Sequence, residues 1–387
     1  MAARAFTVAK GREYLLKRCA FSGLDIFLRD GGKKTLSYYL SFVVPSFYQI
    51  CCLYTCFILQ NEPVTLLKCL SLWGAAGQCS IKIHLAHFHR KNFREKFNFI
   101  QQMQQKSEND PEISECFWKM NKTYHFLQKI IFYMYNVTLV LMGSYSLINF
   151  FVYGKRKFLV IMNVPGLNPD PEAGFPDYEI QTAVHLVCLF VGINELVALD
   201  GIFTYFVLNG AVIADNLIIH VRRMSLLVGQ DSLTNSDTAA FIRHLSQLHQ
   251  EYIGYVNRLD RMYNLMFLMQ FGSFALSGSV GLYAARISDW YAVYWIVICN
   301  VFQLFFSCAL GSIIESKNSL ILDELYNTQW TSMNVRNRRM LMFIMQRART
   351  QRGMTVGNIS KLNLETGMDI YKILYSYSIL LMDAVEA

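Results

Sequence analysis

Apolar residues along this chain gather into blocks of about 20, the length that crosses a bilayer core as one helix. They predict span 1 over 37–59, span 2 over 64–87, span 3 over 126–153 and span 4 from 178. Span 5 is predicted within 263–285, span 6 over 290–314 and span 7 within 360–387. The connection after span 2 reads as a helix that ends at Asp110-Pro111. Pro165, Pro169, Pro171 and Pro176 crowd the segment before span 4, which is therefore a loop able to pack as a lid. Span 4 keeps its helical pattern to about residue 222, and 229–237 is a polar turn. An amphipathic helix over 238–261 precedes span 5.

The last block is not uniformly apolar. Asp369, Lys372, Ser376, Leu380 and Asp383 fall within an arc of roughly 80° on one helix face. Lipid cannot satisfy such a stripe, so it faces protein or water. Either it pairs with neighbouring helices, or several copies of it line a water-filled pore.

Composition agrees with the blocks. The chain is 53% hydrophobic and 17% charged, against roughly 25% charged in soluble domains. The fold class is an all-α polytopic membrane protein with seven transmembrane helices. It divides into a leader (1–36), six spans (37–314), a helical anchor arm (315–359) and the seventh span (360–387). A net charge of +8 raises nucleic acid as a partner, but the basic residues lie between spans, so none is expected. With the leader inside, 30 Lys and Arg fall on that side or at the inner ends of spans 2 and 3, four on the other side, and Lys68 and Lys372 deeper within spans. The positive-inside rule then gives a cytosolic N-terminus and anchor and an extracellular C-terminus. That is the reverse of a G-protein-coupled receptor, whose DRY and NPxxY motifs are also missing. The first 34 residues hold eight basic residues and no long apolar core, so no signal peptide is expected.

Catalytic signals are weak. The ten cysteines form no CxxC pattern and read as small buried hydrophobes. His84, His87 and His89 approach a metal spacing but sit beside Arg90 and Lys91 at a span end. No phosphate-binding glycine loop is present. Neither an enzyme nor a cofactor is expected.

The C-terminal region resembles the insect odorant receptor family. The likeness rests on Leu325-Tyr326-Asn327, Trp330, the basic run Arg336-Asn337-Arg338-Arg339, the entry Leu362-Asn363-Leu364-Glu365-Thr366 and Ser376-Tyr377-Ser378. Leu199-Asp200-Gly201-Ile202-Phe203 in span 4 also resembles it. Gly367 departs from the family pattern, as does the lack of a proline near Gln351-Arg352-Gly353. The resemblance implies an odorant-gated, non-selective cation channel in the plasma membrane of olfactory sensory neurons. In it, variable odour-binding subunits join a shared coreceptor subunit in a tetramer, and each last helix lines the pore. The chain looks like a variable subunit, because it lacks the coreceptor's insertion between spans 4 and 5.

The resemblance also implies site positions. A pocket for a small volatile odorant would lie in the outer halves of spans 2, 3, 4 and 6. It would take in Leu70, Trp73 and Gly74; Met142, Tyr145, Ser146 and Asn149; His185, Leu186 and Leu189; and Tyr291, Tyr294 and Trp295. Aromatic stripes are also ordinary bundle packing, and His185 reads more simply as a hydrogen-bonded bundle residue. Leu380 and Ala384 would form the pore's hydrophobic constriction, beyond Ser376 on the same face. Asp383 either concentrates cations at the outer mouth or marks the helix end. Lys372 would oppose cations unless it pairs with Asp369. Asp200 matches a structural family position, Asp215 lies past the bilayer, and Glu195 is a further acid on span 4. The rival readings are a gustatory-type receptor forming a homotetrameric channel, and a transporter or G-protein-coupled receptor. The gustatory ending TYhhhhhQF is not present.

Overall fold

The computed structural model describes residues 2–28, 35–229, 234–288, 290 and 292–386. Ten α-helices run through them: α1 (Ala2–Phe21), α2 (Leu36–Ile58), α3 (Pro63–Phe88), α4 (Arg90–Lys106), α5 (Pro111–Tyr153), α6 (Asp177–Gly229), α7 (Asn235–Arg286), α8 (Ala292–Tyr326), α9 (Val335–Arg349) and α10 (Leu364–Glu386). The one small sheet among the described residues pairs β1 (Thr355–Val356) antiparallel with β2 (Ser360–Lys361). By length and apolarity alone, α2, α5, α6, α7 and α8 can each cross a membrane. The α3 and α10 helices occupy the places of expected spans 2 and 7. They are more polar, with Lys68 and Lys82 on one and Glu365, Asp369 and Lys372 on the other.

Several expected boundaries move, each for a local reason. Asp110 does not only end a helix. Its carboxylate accepts from the Glu112 N–H at 3.1 Å, and Pro111 takes the first helical position, so α5 starts there rather than at 126. The expected pair 238–261 and 263–285 is a single 52-residue helix. No proline interrupts it, so Asp260 and Arg261 mark a change of surroundings rather than a break. Glu315–Tyr326 continues the span 6 helix before a turn leads into α9.

The long helices exceed what a bilayer needs. At 1.5 Å per residue, the 53 residues of α6 reach about 80 Å, against a hydrocarbon core of roughly 30 Å. The excess packs into a helical body beyond the bundle, with Tyr124, Tyr205, Tyr252, Tyr255, Phe93 and Phe206 fully buried at its centre. From Val197 to Val221 nearly every position of α6 is buried, so this stretch is wrapped on all sides.

Charged groups tie the bundle together across α6. Lys82 of α3 meets the Asp200 carboxylate at 2.7 Å. Tyr135 of α5 donates to the same carboxylate at 2.5 Å and Gln303 of α8 at 3.1 Å. One carboxylate thus joins four helices, with the Lys82 side chain only 3% exposed. Asp200 therefore has the structural role its position implied. Beyond the bundle, Arg223 of α6 forks onto Asp110 at 2.6 and 2.9 Å. This pairing holds the Asp110 carboxyl below its usual range.

Breaking the Asp200 knot strands a buried cation. Asp200→Leu is expected to cost on the order of 3–5 kcal/mol, read as a lower melting temperature in detergent. Lys82→Met in the same chain should restore most of it. Unchanged melting of the single variant would show that the knot does not hold the bundle.

Candidate functional site

A partly open cavity of about 150 Å³ lies just above the Asp200 knot. Each wall helix contributes one face at helical spacing. They are Val44, Pro45, Tyr48 and Gln49 of α2; Leu72, Ala75, Ala76, Gln78 and Cys79 of α3; Tyr135, Thr138 and Met142 of α5; Cys188, Leu189, Gly192, Ile193 and Leu196 of α6; and Ile296, Cys299, Asn300 and Gln303 of α8. The walls are mostly aliphatic or thiol. Polar groups gather on the side of the knot, where Gln78 donates to Asn300 at 3.1 Å and the Cys79 thiol to Glu195 at 3.1 Å. In another protein an apolar cavity of this size stays dry and admits benzene or xenon. This one suits a molecule of that scale.

The proline-rich loop closes one end, as a lid. Leu159, Val160, Met162 and Asn163 are buried, and Val160 lines the cavity. Side chains of the bundle hold the lid by its backbone. Thr55 accepts from the Asn163 N–H at 2.7 Å, His185 bonds the Met162 carbonyl at 2.7 Å, and Ser146 donates to the Lys157 carbonyl.

The expected pocket residues divide into four groups. Met142 and Leu189 line the cavity. Ser146 and His185 hold the lid and Asn149 is buried near it, so these polar residues secure the roof rather than face the cavity. Leu70, Trp73 and Gly74 line a separate groove between α3 and α7. A Cβ on Gly74 would lie 2.6 Å from that of Ser277, so the glycine permits close helix packing. Leu186, Tyr294 and Trp295 are 48%, 45% and 39% exposed on the outer surface. Tyr291 and the Tyr145 side chain lie outside the described residues. On α8 the cavity face is Ile296, Cys299, Asn300 and Gln303, and Tyr294 projects about 170° from the centre of that face. On all four expected helices the cavity sits one to two turns deeper in the bundle than expected.

The last helix is covered along one face only. Gly367, Leu374 and Ser378 are buried against α7 and α8, with Ile370 and Tyr371 half-buried. At 100° per residue, the centre of that face is about 170° from the stripe of Asp369, Lys372, Ser376 and Leu380. All four stripe residues are exposed, and Lys372 pairs with Asp369 at 2.9 Å. The Asp383 and Ala384 side chains lie outside the described residues. Tyr371 donates to the Val301 carbonyl of α8 at 2.7 Å, between the cavity residues Asn300 and Gln303.

Where α10 begins, the chain is clamped twice. Asp260 of α7 accepts from the Thr355 N–H at 2.6 Å and its hydroxyl at 2.8 Å. Glu315 of α8 accepts from Lys361 at 2.8 Å and Asn363 at 3.0 Å. The Lys361 bond holds the Glu315 carboxyl below its usual range, whereas burial pushes the Asp260 carboxyl up. Gly311 lets the chain pass closely, since a Cβ there would fall 2.0 Å from the Leu362 carbonyl oxygen.

The sequence profile described as 7tm Odorant receptor matches residues 62–375. The chain belongs to this odorant receptor family. Odorant receptor 10 of Aedes albopictus is 25% identical over 210 residues, covering 53% of this chain and 56% of that one. Putative odorant receptor 83c of Drosophila melanogaster is 20% identical over 138 residues, covering 35% and 34%. The chain thus matches about half and a third of the length of these two relatives. The structure of the olfactory receptor OR5 from Machilis hrabei shares the fold over 98% of this chain and 99% of that one. The TM-score is 0.77 at 12% identity, and 0.76 at 13% for the same receptor in complex with eugenol. Membership makes the chain an insect odorant receptor and a multi-pass membrane protein.

Sequence reading of this odorant receptor missed the α2 wall and the lid residue Val160. One signal pointed to α2: Gln49 is a polar residue in the middle of an apolar span, which implies a protein-facing position.

Gly192 tests the cavity directly. A Cβ there meets nothing within 4 Å, so a side chain at this lining position starts out into open space. Gly192→Leu should leave the detergent melting point within about 1 kcal/mol of stability. It should also abolish stabilisation by benzene-sized volatiles in the same thermal-shift measurement.

Proposed function

We propose that this chain is the odorant-binding subunit of a heterotetrameric, odorant-gated, non-selective cation channel. It would act in the plasma membrane of olfactory sensory neurons beside a shared coreceptor subunit. The observation that carries the reading is the mostly apolar cavity beneath a lid, sized for a small volatile molecule. Affinity in such a site comes from desolvation and close contact. The shared fold of the Machilis receptor solved with eugenol supports the same ligand scale.

The proposal keeps seven spans, a cytosolic N-terminus and an extracellular C-terminus, with α3 and α10 as spans 2 and 7. The uncovered stripe on α10 supports a pore role, because the face opposite the bundle is the one free to look onto a central axis. Leu380, at 63% exposure on this face, is the hydrophobic constriction, followed by Ala384. Ser376 lines the path and Asp383 draws cations to the mouth.

Gating follows from shared helices. The α8 helix forms one wall of the cavity and carries α10 through the Tyr371–Val301 hydrogen bond. A ligand that fits a displaced α8 better than the resting one shifts the population towards that state. The shift is limited by the difference in affinity between the two states.

The deciding measurement is whole-cell current from cells expressing this chain, the coreceptor, or both, challenged with small volatiles. Current from the pair alone is expected; current from this chain alone would favour the homotetrameric gustatory-type reading instead. In the pair, Leu380→Ser should leak without odorant. Tyr371→Phe should raise the odorant EC50 by up to about fivefold, the worth of one hydrogen bond of roughly 1 kcal/mol.

A further inference from the structure

Several of the polar groups on the cavity wall are tied off. Gln78 and Asn300 bond each other, and Thr138 bonds the Met134 carbonyl at 3.0 Å. Tyr135 and Gln303 are held by Asp200. Gln49 differs. Its side-chain oxygen accepts from the Trp73 indole N–H, while its buried amide nitrogen has no hydrogen-bond partner among the described residues.

The orientation of this amide is not open to exchange of its two ends. An indole N–H can only donate, so the carboxamide oxygen must face Trp73 and the NH₂ must point elsewhere. Gln49 lines both the cavity and the α3–α7 groove, and Trp73 lines the groove alone. The pair is thus the partition between the two, and Trp73 holds the carboxamide by its oxygen, while the covered amide nitrogen meets an acceptor only when a ligand parts the side chains over it. A buried donor left unmade is costly, so an acceptor supplied by a ligand is worth more than one exchanged with water.

We propose that Gln49 is the polar anchor of the ligand cavity, donating its side-chain N–H to a hydrogen-bond acceptor on the odorant. This rests on the ligand-binding reading above and narrows its ligand class. The cavity then prefers a small apolar molecule carrying one acceptor, such as a ketone or ether, over a hydrocarbon of the same shape. Trp73 is a positioning residue that keeps the donor aimed.

The test uses two shape-matched pairs, acetophenone with cumene and 2-heptanone with 2-methylheptane, on cells expressing this chain and the coreceptor. Each EC50 ratio is taken within one variant, so surface expression cancels. In the parent, each hydrocarbon should need about tenfold more than its ketone. Gln49→Leu should bring the ratio to about one. Trp73→Phe, which keeps the ring and loses the N–H, should lower the ratio in part, and it serves if Gln49→Leu does not fold. A ratio that survives Gln49→Leu, or both substitutions, overturns the proposal. If no volatile evokes current from any cell, the channel reading fails, and melting of the purified chain decides the inference. Acetophenone must then stabilise the parent more than cumene does, and Gln49→Leu must equalise the two; equal or absent shifts in the parent overturn it.

Discussion

A carboxylate buried in an apolar helix bundle has to be matched, and much of this structure follows from how Asp200 is matched. Its negative charge draws Lys82, Tyr135 and Gln303 to one point on α6. Three surrounding helices are thereby fixed in register against the fourth. Such a knot adds little net stability over well-packed apolar side chains, but it penalises every arrangement that leaves a partner unpaired. Packing above it therefore need not be tight to be unique. The cavity occupies that permissive layer, with the knot as its floor and the lid as its roof.

The roof is held on a different principle. Thr55, His185 and Ser146 bond the loop through main-chain atoms, and Gln181 bonds its Asn163 side chain at 3.4 Å. Its apolar residues are seated in the bundle at the same time, with Leu159, Val160 and Met162 buried. Only residues such as Val160, which reach the cavity, then bear on the ligand.

The fold was largely legible in the sequence. Apolar blocks placed the long helices, prolines marked the lid, and the motifs around Asn327 and Thr366 pointed to the family now matched over residues 62–375. The site was less legible, because a pocket depends on helix rotation and depth, which one chain's hydropathy does not encode. Tyr294 and Trp295 read as ligand contacts because they are aromatic, yet α8 turns Ile296 and Asn300 to the cavity instead. Trp73 was placed in the pocket by the family resemblance, while its structural part is the N–H that holds Gln49. His185 shows the opposite case, since its simpler reading as a hydrogen-bonded bundle residue is the one observed. The α10 stripe was visible because its period alone defines a face.

Two of the cavity's walls differ in what else they touch. The α2 helix packs on α3 and α6, whereas α8 also carries α10. Under the proposed gating scheme, a change on the α8 wall alters affinity and efficacy together. A change on the α2 wall alters affinity with less effect on the resting equilibrium of the pore. Receptors of this architecture could then diverge in odour preference along α2 while keeping their silent state silent, so that wall is the less constrained one for a new ligand range to evolve on.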